Sequence, residues 1–309
     1  MTVTDGVGGA STPEPATPGS YGEAPAGFRL PNGTQLGRVR LQVADLSRSL
    51  AFYEQTLGLR LLRRGGASAV LGAHGEDRPL IELHELAGAR PMTERGRLGL
   101  YHFAILVPDR ASLGRFVRHL GDIGAPAGAG DHLVSEAFYL SDPDGLGIEV
   151  YADRPRSSWR RIGRELMMAT DPVDVPDLVR AAGTEPWSGM PAGTTIGHVH
   201  LHVADTALAS DFFSAKLGFD RMGWSYPGAL FLGASGYHHH LGVNTWAGRR
   251  AVPPTAGDAR LLEWTIELPD PGSLAAVAAS LGQARPSTED ELVTRDPWGT
   301  SIRVTARSD

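Results

Sequence analysis

Between Gly130 and Glu149 the chain reads GDHLVSEAFYLSDPDGLGIE, and three of these residues could do chemistry together. His132 can carry a proton near neutral pH. Tyr139 can donate or accept a hydrogen bond, and Glu149, ten residues further on, can ligate a cation. Asp142-Pro-Asp-Gly145 between the last two has the composition of a tight turn. Two short strands joined by that turn would put a metal-binding carboxylate beside an acid/base pair. The plainer reading is an ordinary hairpin with a structural tyrosine and an exposed glutamate.

Strand alternation singles out further residues. In Gly197 to Val203 the apolar Val199, Leu201 and Val203 share one face, and His198, His200 and His202 the other. A solvated sheet face accounts for such a pattern and is the reading for His200 and His202, although a polar face lining a cup has the same periodicity. His102 shares a face with Leu100, Ala104 and Leu106, as a core histidine would. Glu149 stands between Ile148 and Val150 on an otherwise apolar strand. A buried carboxylate needs a cation or several donors, which points Glu149 toward a metal.

The elements that must position these residues come from a chain of 309 residues, long enough for two domains with cores of their own. The net charge of −6 and the lack of a dense Lys/Arg run argue against a nucleic-acid partner. Zero cysteines exclude disulfides, thiolate catalysis and Cys-ligated zinc or iron-sulfur centres. Any metal must therefore be held by His and carboxylates. No apolar run approaches the ~20 residues of a membrane span, and no basic segment precedes an apolar one at the N-terminus. No membrane partner and a cytoplasmic location are expected; homo-oligomeric assembly is left open. Residues 1–33, rich in Gly, Pro, Ser, Thr and Ala, read as a flexible tail.

An internal repeat sets the architecture. LGRVRLQVADLSRSLAFYEQTLGLRLL from Leu36 aligns without a gap with IGHVHLHVADTALASDFFSAKLGFDRM from Ile196. LYHFAILVPDRASLGRFVRHLG from Leu100 likewise matches LEWTIELPDPGSLAAVAASLG from Leu262. Each reads as strand, Asp-marked turn, helix, then short apolar stretches broken by Gly or Asp-Pro turns. Four βαβββ units follow, at roughly 36–88, 97–152, 195–247 and 260–306. The domain reading is 34–152 and 195–309, two units each, joined by a connector over 153–194. The connector holds a helix near Trp159 to Met168 and a Pro-rich stretch after Asp171.

Four such units, with Phe-Tyr or Phe-Phe in the first helix and Asp-Pro-x-Gly before the last strand, resemble the vicinal oxygen chelate superfamily of glyoxalases, antibiotic-resistance proteins and extradiol dioxygenases. The segments YHFAILVP, DHLVSEAFYLSDPDG, ADRPRSSW and GYHHHLGVNTW look like the bacterial catechol-2,3-dioxygenase group. The resemblance implies an α+β fold with two curled antiparallel sheets, each enclosing a cup from two units. It also implies metal ligands on the first and last strands of a unit. The first-strand positions are Arg38, His102, His198 and Glu263; the last-strand positions are Glu82, Glu149, His240 and Arg303. The register at His240 could slip by two to His238.

Arginine cannot ligate a cation, so units 1 and 4 each lack one ligand, whereas units 2 and 3 offer His102, Glu149, His198 and His240. Either consecutive units pair around a modified site, or units 2 and 3 share a cup; the ligand inventory favours the second. The resemblance then implies Fe(II), with Mn(II) or another divalent metal as alternative, a catechol-type aromatic substrate and O2. His132 would handle protons and Tyr139 would hydrogen-bond substrate oxygen. The competing readings are a glyoxalase-like isomerase or lyase using all four ligands, and a non-catalytic small-molecule (antibiotic) binder.

Overall fold

The computed structural model describes residues 12–93, 95–283 and 290–307. Four aspartates at equivalent places in the repeats, Asp45, Asp109, Asp205 and Asp270, each accept a backbone N–H from the first turn of a helix. An N-cap of this kind stabilises a helix by about 1 kcal/mol, and here it fixes where each first strand gives way to its helix.

A short strand, β1 (Glu14–Pro15), precedes the repeats. The first unit is β2 (Gln35–Val43), α1 (Leu46–Gln55), β3 (Arg60–Gly65), β4 (Ser68–Gly72) and β5 (Pro79–Glu85). The second is β6 (Gly99–Leu106), α2 (Arg110–Asp122), β7 (Gly128–Asp131), β8 (Ser135–Ser141) and β9 (Gly147–Asp153). The connector contributes β10 (Arg160–Ile162), β11 (Glu165–Leu166) and α3 (Val175–Ala181). In the third unit β12 (Thr195–His202) leads to α4 (Thr206–Ala209), which widens into a π-turn over Ser210–Lys216. β13 (Asp220–Gly223), β14 (Ala229–Gly233) and β15 (Leu241–Asn244) complete it. The fourth has β16 (Arg260–Leu268), α5 (Pro271–Ser280), β17 (Glu291–Arg295) and β18 (Ser301–Ala306). It shows two strands after its helix among the described residues.

Units 2 and 3 share an eight-stranded sheet of order β13-β14-β15-β12-β6-β9-β8-β7. Units 4 and 1 share a seven-stranded one, β17-β18-β16-β2-β5-β4-β3. Unit 1 does not pair with unit 2, nor unit 3 with unit 4. The central joints, β6–β12 and β2–β16, are antiparallel and carry register shifts, which bend a sheet as bulges do. Neither sheet is purely antiparallel, because the first and last strands of a unit run parallel. In units 1 to 3 the helix crosses over before a three-strand meander starts, and in all four units the last strand lies beside the strand that began it. One core joins both sheets and contains the fully buried Val39, Phe103, Val199 and Trp264.

Two expectations change. The tail reading fails for residues 12–33, while 1–11 lie outside the described residues. β1 pairs with β10, Leu30 is buried, the Tyr21 hydroxyl donates to Gly236 O at 2.7 Å, and Arg29 forks onto Asp220. A few anchoring side chains and backbone bonds outweigh a composition that averages out polar. The helix expected near Trp159 to Met168 is instead the β10–β11 hairpin, which turns at Gly163 with φ of 59°. Pairing with β1 satisfies the backbone of β10 without a helix.

The Asp-Pro-Asp-Gly turn fastens unit 2 to unit 1. Asp142 Oδ1 accepts the N–H groups of Asp144 and Leu146 at 2.9 and 2.8 Å, and Oδ2 accepts the Tyr53 hydroxyl at 3.2 Å. Asp144 accepts Ala44 N–H at 2.9 Å and pairs with Arg48. Burial, the largest influence, outweighs these donors and raises the Asp142 carboxyl from 3.8 to about 6. A raised folded-state pKa gives stability that is complete below the unfolded value and is lost as pH rises through about 6. Asp142→Asn, which keeps an acceptor for both backbone donors, is expected to melt above the wild type at about pH 8 by up to roughly 3 kcal/mol. Thermal melts should show that gap closing near about pH 4.

Candidate metal centre

Strand register assembles a triad from two units. Across β9, β6 and β12, Glu149 lies opposite Ala104, and Ala104 opposite His198. The methyl of Ala104 is small enough for the glutamate and histidine to meet above it, and His102 projects from the same face two residues earlier. At Gly147, two residues before Glu149, a Cβ would stand 2.0 Å from Tyr101 O. Only glycine lets β9 lie this close to β6.

The ligating atoms converge. Glu149 Oε2 is 3.0 Å from His102 Nε2 and 3.2 Å from His198 Nε2, and the two Nε2 atoms are 3.3 Å apart. Metal bonds of about 2.1 Å meeting at right angles would place the ligand atoms roughly 3.0 Å from each other. Two imidazole nitrogens aimed at one carboxylate oxygen and at each other leave one acceptor shared between competing donors, which a cation resolves. All three residues are buried. Burial, the largest influence, raises Glu149, but the two imidazoles prevail and hold it well below the usual carboxylate range. Burial pushes His102 down despite Glu149. The set is thus a carboxylate with a neutral imidazole at His102, the protonation states a metal requires. Among the described residues this is the group of three ligand atoms able to share an ion.

His132 and Tyr139 line the same cavity, of about 380 Å³. Tyr139 sits opposite Glu149 on the neighbouring strand. His132 Nδ1 donates to Ala169 O at 2.6 Å, so Nε2 is its acceptor atom, and the Tyr139 hydroxyl donates to it. Burial, then Glu149, raises the Tyr139 phenol well above its usual value. It therefore keeps its proton.

His240 does not join the triad. Its Nδ1 accepts Ala234 N–H at 3.1 Å, its ring packs on Tyr237 and Phe219, and burial drops its pKa to about 3. The residue that enters the cavity is His239, whose ring centroid is 4.2 Å from that of His198. Strand β15 starts only at Leu241, so alternation cannot be extended back to choose among three successive histidines. His200 and His202 are also not solvated: both are buried, and Asn244 binds His202 Nδ1 at 2.7 Å and His200 Nε2 at 2.9 Å.

Behind His239 lies a polar chain. His239 Nδ1 is 2.7 Å from His238 Nδ1, and His238 Nε2 is 2.9 Å from Asp153 Oδ1. An ionised carboxylate only accepts, so His238 donates from Nε2; carrying that single proton it accepts at Nδ1, and His239 then holds its proton on Nδ1. His239 Nε2 is left with a free lone pair. Nitrogen-15 NMR of histidine-labelled protein is expected to show the Nδ1–H tautomer of His239, and a mixture of tautomers in Asp153→Ala.

In the other sheet guanidinium groups stand at ligand positions. Arg303 forks onto Glu263 at 2.8 and 3.1 Å, Arg38 meets Glu82 at 3.2 Å, and Arg40 lies between them, 3.5 Å from Glu82 and 3.6 Å from Glu263. The carboxylates that a metal would have used are neutralised from within.

Among known proteins, the model of the Glyoxalase/Bleomycin resistance protein/Dioxygenase superfamily matches residues 35–150. The catechol-2,3-dioxygenase of Bacillus subtilis (strain 168) is 45% identical over 271 residues, which is 85% of this chain and 94% of that protein. The lactoylglutathione lyase of Haemophilus influenzae is 32% identical over 139 residues, 40% of this chain and 96% of that protein. Among solved structures, a Bacillus subtilis protein matches with TM-score 0.60 at 13% identity, covering 92% of this chain and 87% of that one. Glyoxalase I from Zea mays matches with TM-score 0.51 at 17% identity, covering 89% and 92%. At such identities these two likenesses concern the fold alone. The similarity to the Bacillus dioxygenase, by contrast, extends along most of both sequences, and the chain belongs to the glyoxalase/bleomycin resistance protein/dioxygenase superfamily.

Proposed function

We propose that this protein is an extradiol dioxygenase that opens a catechol-type ring beside its diol with O2, using iron(II) held by His102, His198 and Glu149. One observation carries the reading. Three ligand atoms at 3.0–3.3 Å from one another share a cavity with a proton-handling His132–Tyr139 pair. The similarity to a catechol-2,3-dioxygenase over most of the chain supports it. When bound, an ion on two histidines and one carboxylate offers open positions for two reactants and lowers the pKa of a ligated hydroxyl.

The protein's own groups supply the rest. Glu149 is already anionic, so the site favours a divalent cation before any substrate arrives. His132, anchored through Nδ1, presents Nε2 as an acceptor and can take a catechol proton once the Tyr139 hydroxyl turns from it toward the substrate. Tyr139, kept as a phenol, can donate to a substrate oxygen. His239 offers a second lone pair from the opposite unit. A glyoxalase-like site would want a fourth ligand, and among the described residues the ligand atoms able to share an ion are those of His102, Glu149 and His198. A metal-free binder would leave Glu149 buried with two imidazoles and no cation. Breakdown of aromatic compounds is the process this chemistry would serve.

Metal analysis should find one divalent ion per chain, and anaerobic loading with ferrous iron followed by catechol should start oxygen uptake. Glu149→Ala is expected to lose the metal. His132→Ala should keep it and lose about 10²–10⁴-fold in turnover. Tyr139→Phe should fall more mildly, by the roughly 0.5–1.5 kcal/mol of one hydrogen bond. Full metal and unchanged oxygen uptake in all three variants would move the assignment to a binding protein.

A further inference from the structure

The cavity above the triad has more room than a bare catechol needs. Its volume is about 380 Å³, whereas a cavity of about 150 Å³ suffices for a benzene ring. The remaining space is walled by aromatic side chains. Tyr101, Tyr226, Phe231 and Trp246 line it, with ring centroids 5.7 Å apart for Tyr101–Trp246 and 6.0 Å for Tyr226–Trp246. The indole N–H of Trp246 donates to Pro227 O at 3.0 Å, which holds the ring in place. Tyr101 and Trp246 are 40% and 39% exposed, the most exposed large apolar residues of the lining, and so mark the mouth. Met168, from the connector, adds a flexible apolar contact.

The charge of the lining is as informative as its shape. No Arg or Lys occurs among the described lining residues, and the carboxylate present is that of Glu149. The exposed Arg95 lines an adjoining hollow that shares Tyr101, His102, Tyr139 and Trp246 with the cavity, but is not itself in the cavity lining. A carboxylate on the substrate would lose water and find no Arg or Lys in the cavity to pair with, the charge of a bound ion being engaged by Glu149 and the diol. An alkyl or aryl group would bury apolar surface against the four rings.

We propose that the preferred substrates are catechols bearing an uncharged alkyl or aryl substituent, seated against Tyr101, Tyr226, Phe231 and Trp246, and that carboxylated catechols are rejected. The inference rests on the dioxygenase reading and names its substrate class.

Iron-loaded protein is assayed with catechol, a phenyl-substituted catechol and a carboxymethyl-substituted catechol. The phenyl compound is expected to exceed the carboxymethyl one in kcat/KM by about 10–200-fold, the range a pocket achieves by apolar contact. Trp246→Ala should lower the phenyl-to-parent ratio, and Tyr101→Arg should raise the carboxymethyl-to-parent ratio. Anaerobic calorimetry ranks the same compounds without turnover. If no catechol is cleaved yet the phenyl compound still binds best, the dioxygenase reading fails and the ligand class stands. Equal or better use of the carboxymethyl compound, or ratios unchanged in both variants, overturns the proposal.

Discussion

The antiparallel pairing of β6 with β12 joins a strand of the second unit to a strand of the third, and the rest of the candidate site follows from it. The pairing sets Ala104 opposite His198 while the parallel β6–β9 ladder sets Ala104 opposite Glu149. Side-chain period and register then leave no freedom: a slip by one residue would send His198 to the core face and bring Val199 into the cup. The close approach at Gly147 and the small side chain at Ala104 are the local concessions that make the row work.

Both sheets face the same physical problem of carboxylates projecting into a partly closed cup, and they solve it differently. In the sheet of units 2 and 3 the carboxylate meets two imidazoles, in an arrangement that could hold a divalent ion. In the sheet of units 1 and 4 the partners are guanidinium groups. Arg303 binds Glu263 as a fork, a geometry that adds direction to charge. A permanently charged arginine needs no ion. The duplicated scaffold can thus keep one cup for chemistry and use internal ion pairs to stabilise the other.

Around the triad, support comes from outside the two units that provide the ligands. Ala169 of the connector fixes the His132 ring, and Met168 and Thr170 complete the cavity wall. The segment 12–33 covers the third unit through Tyr21 and Arg29. The His239–His238–Asp153 chain links the third unit back to the end of β9. Part of the cavity wall therefore comes from a segment whose composition suggested a linker.

The sequence by itself determined the repeat, the Asp-capped helices, the four units and the presence of His102, Glu149 and His198 on strands, because capping and alternation are local rules. It also showed that Arg38 and Arg303 deprive two units of a ligand, since arginine chemistry does not depend on fold. Only the tertiary structure decided which units pair, because that choice rests on long-range β6–β12 and β2–β16 contacts that no local pattern encodes. It also decided between His238, His239 and His240, which lie in irregular backbone where period-two reasoning has no purchase. The burial of His200 and His202 was hidden for a related reason: a polar strand face looks the same whether it meets water or, as here, an asparagine and the wall of a cup.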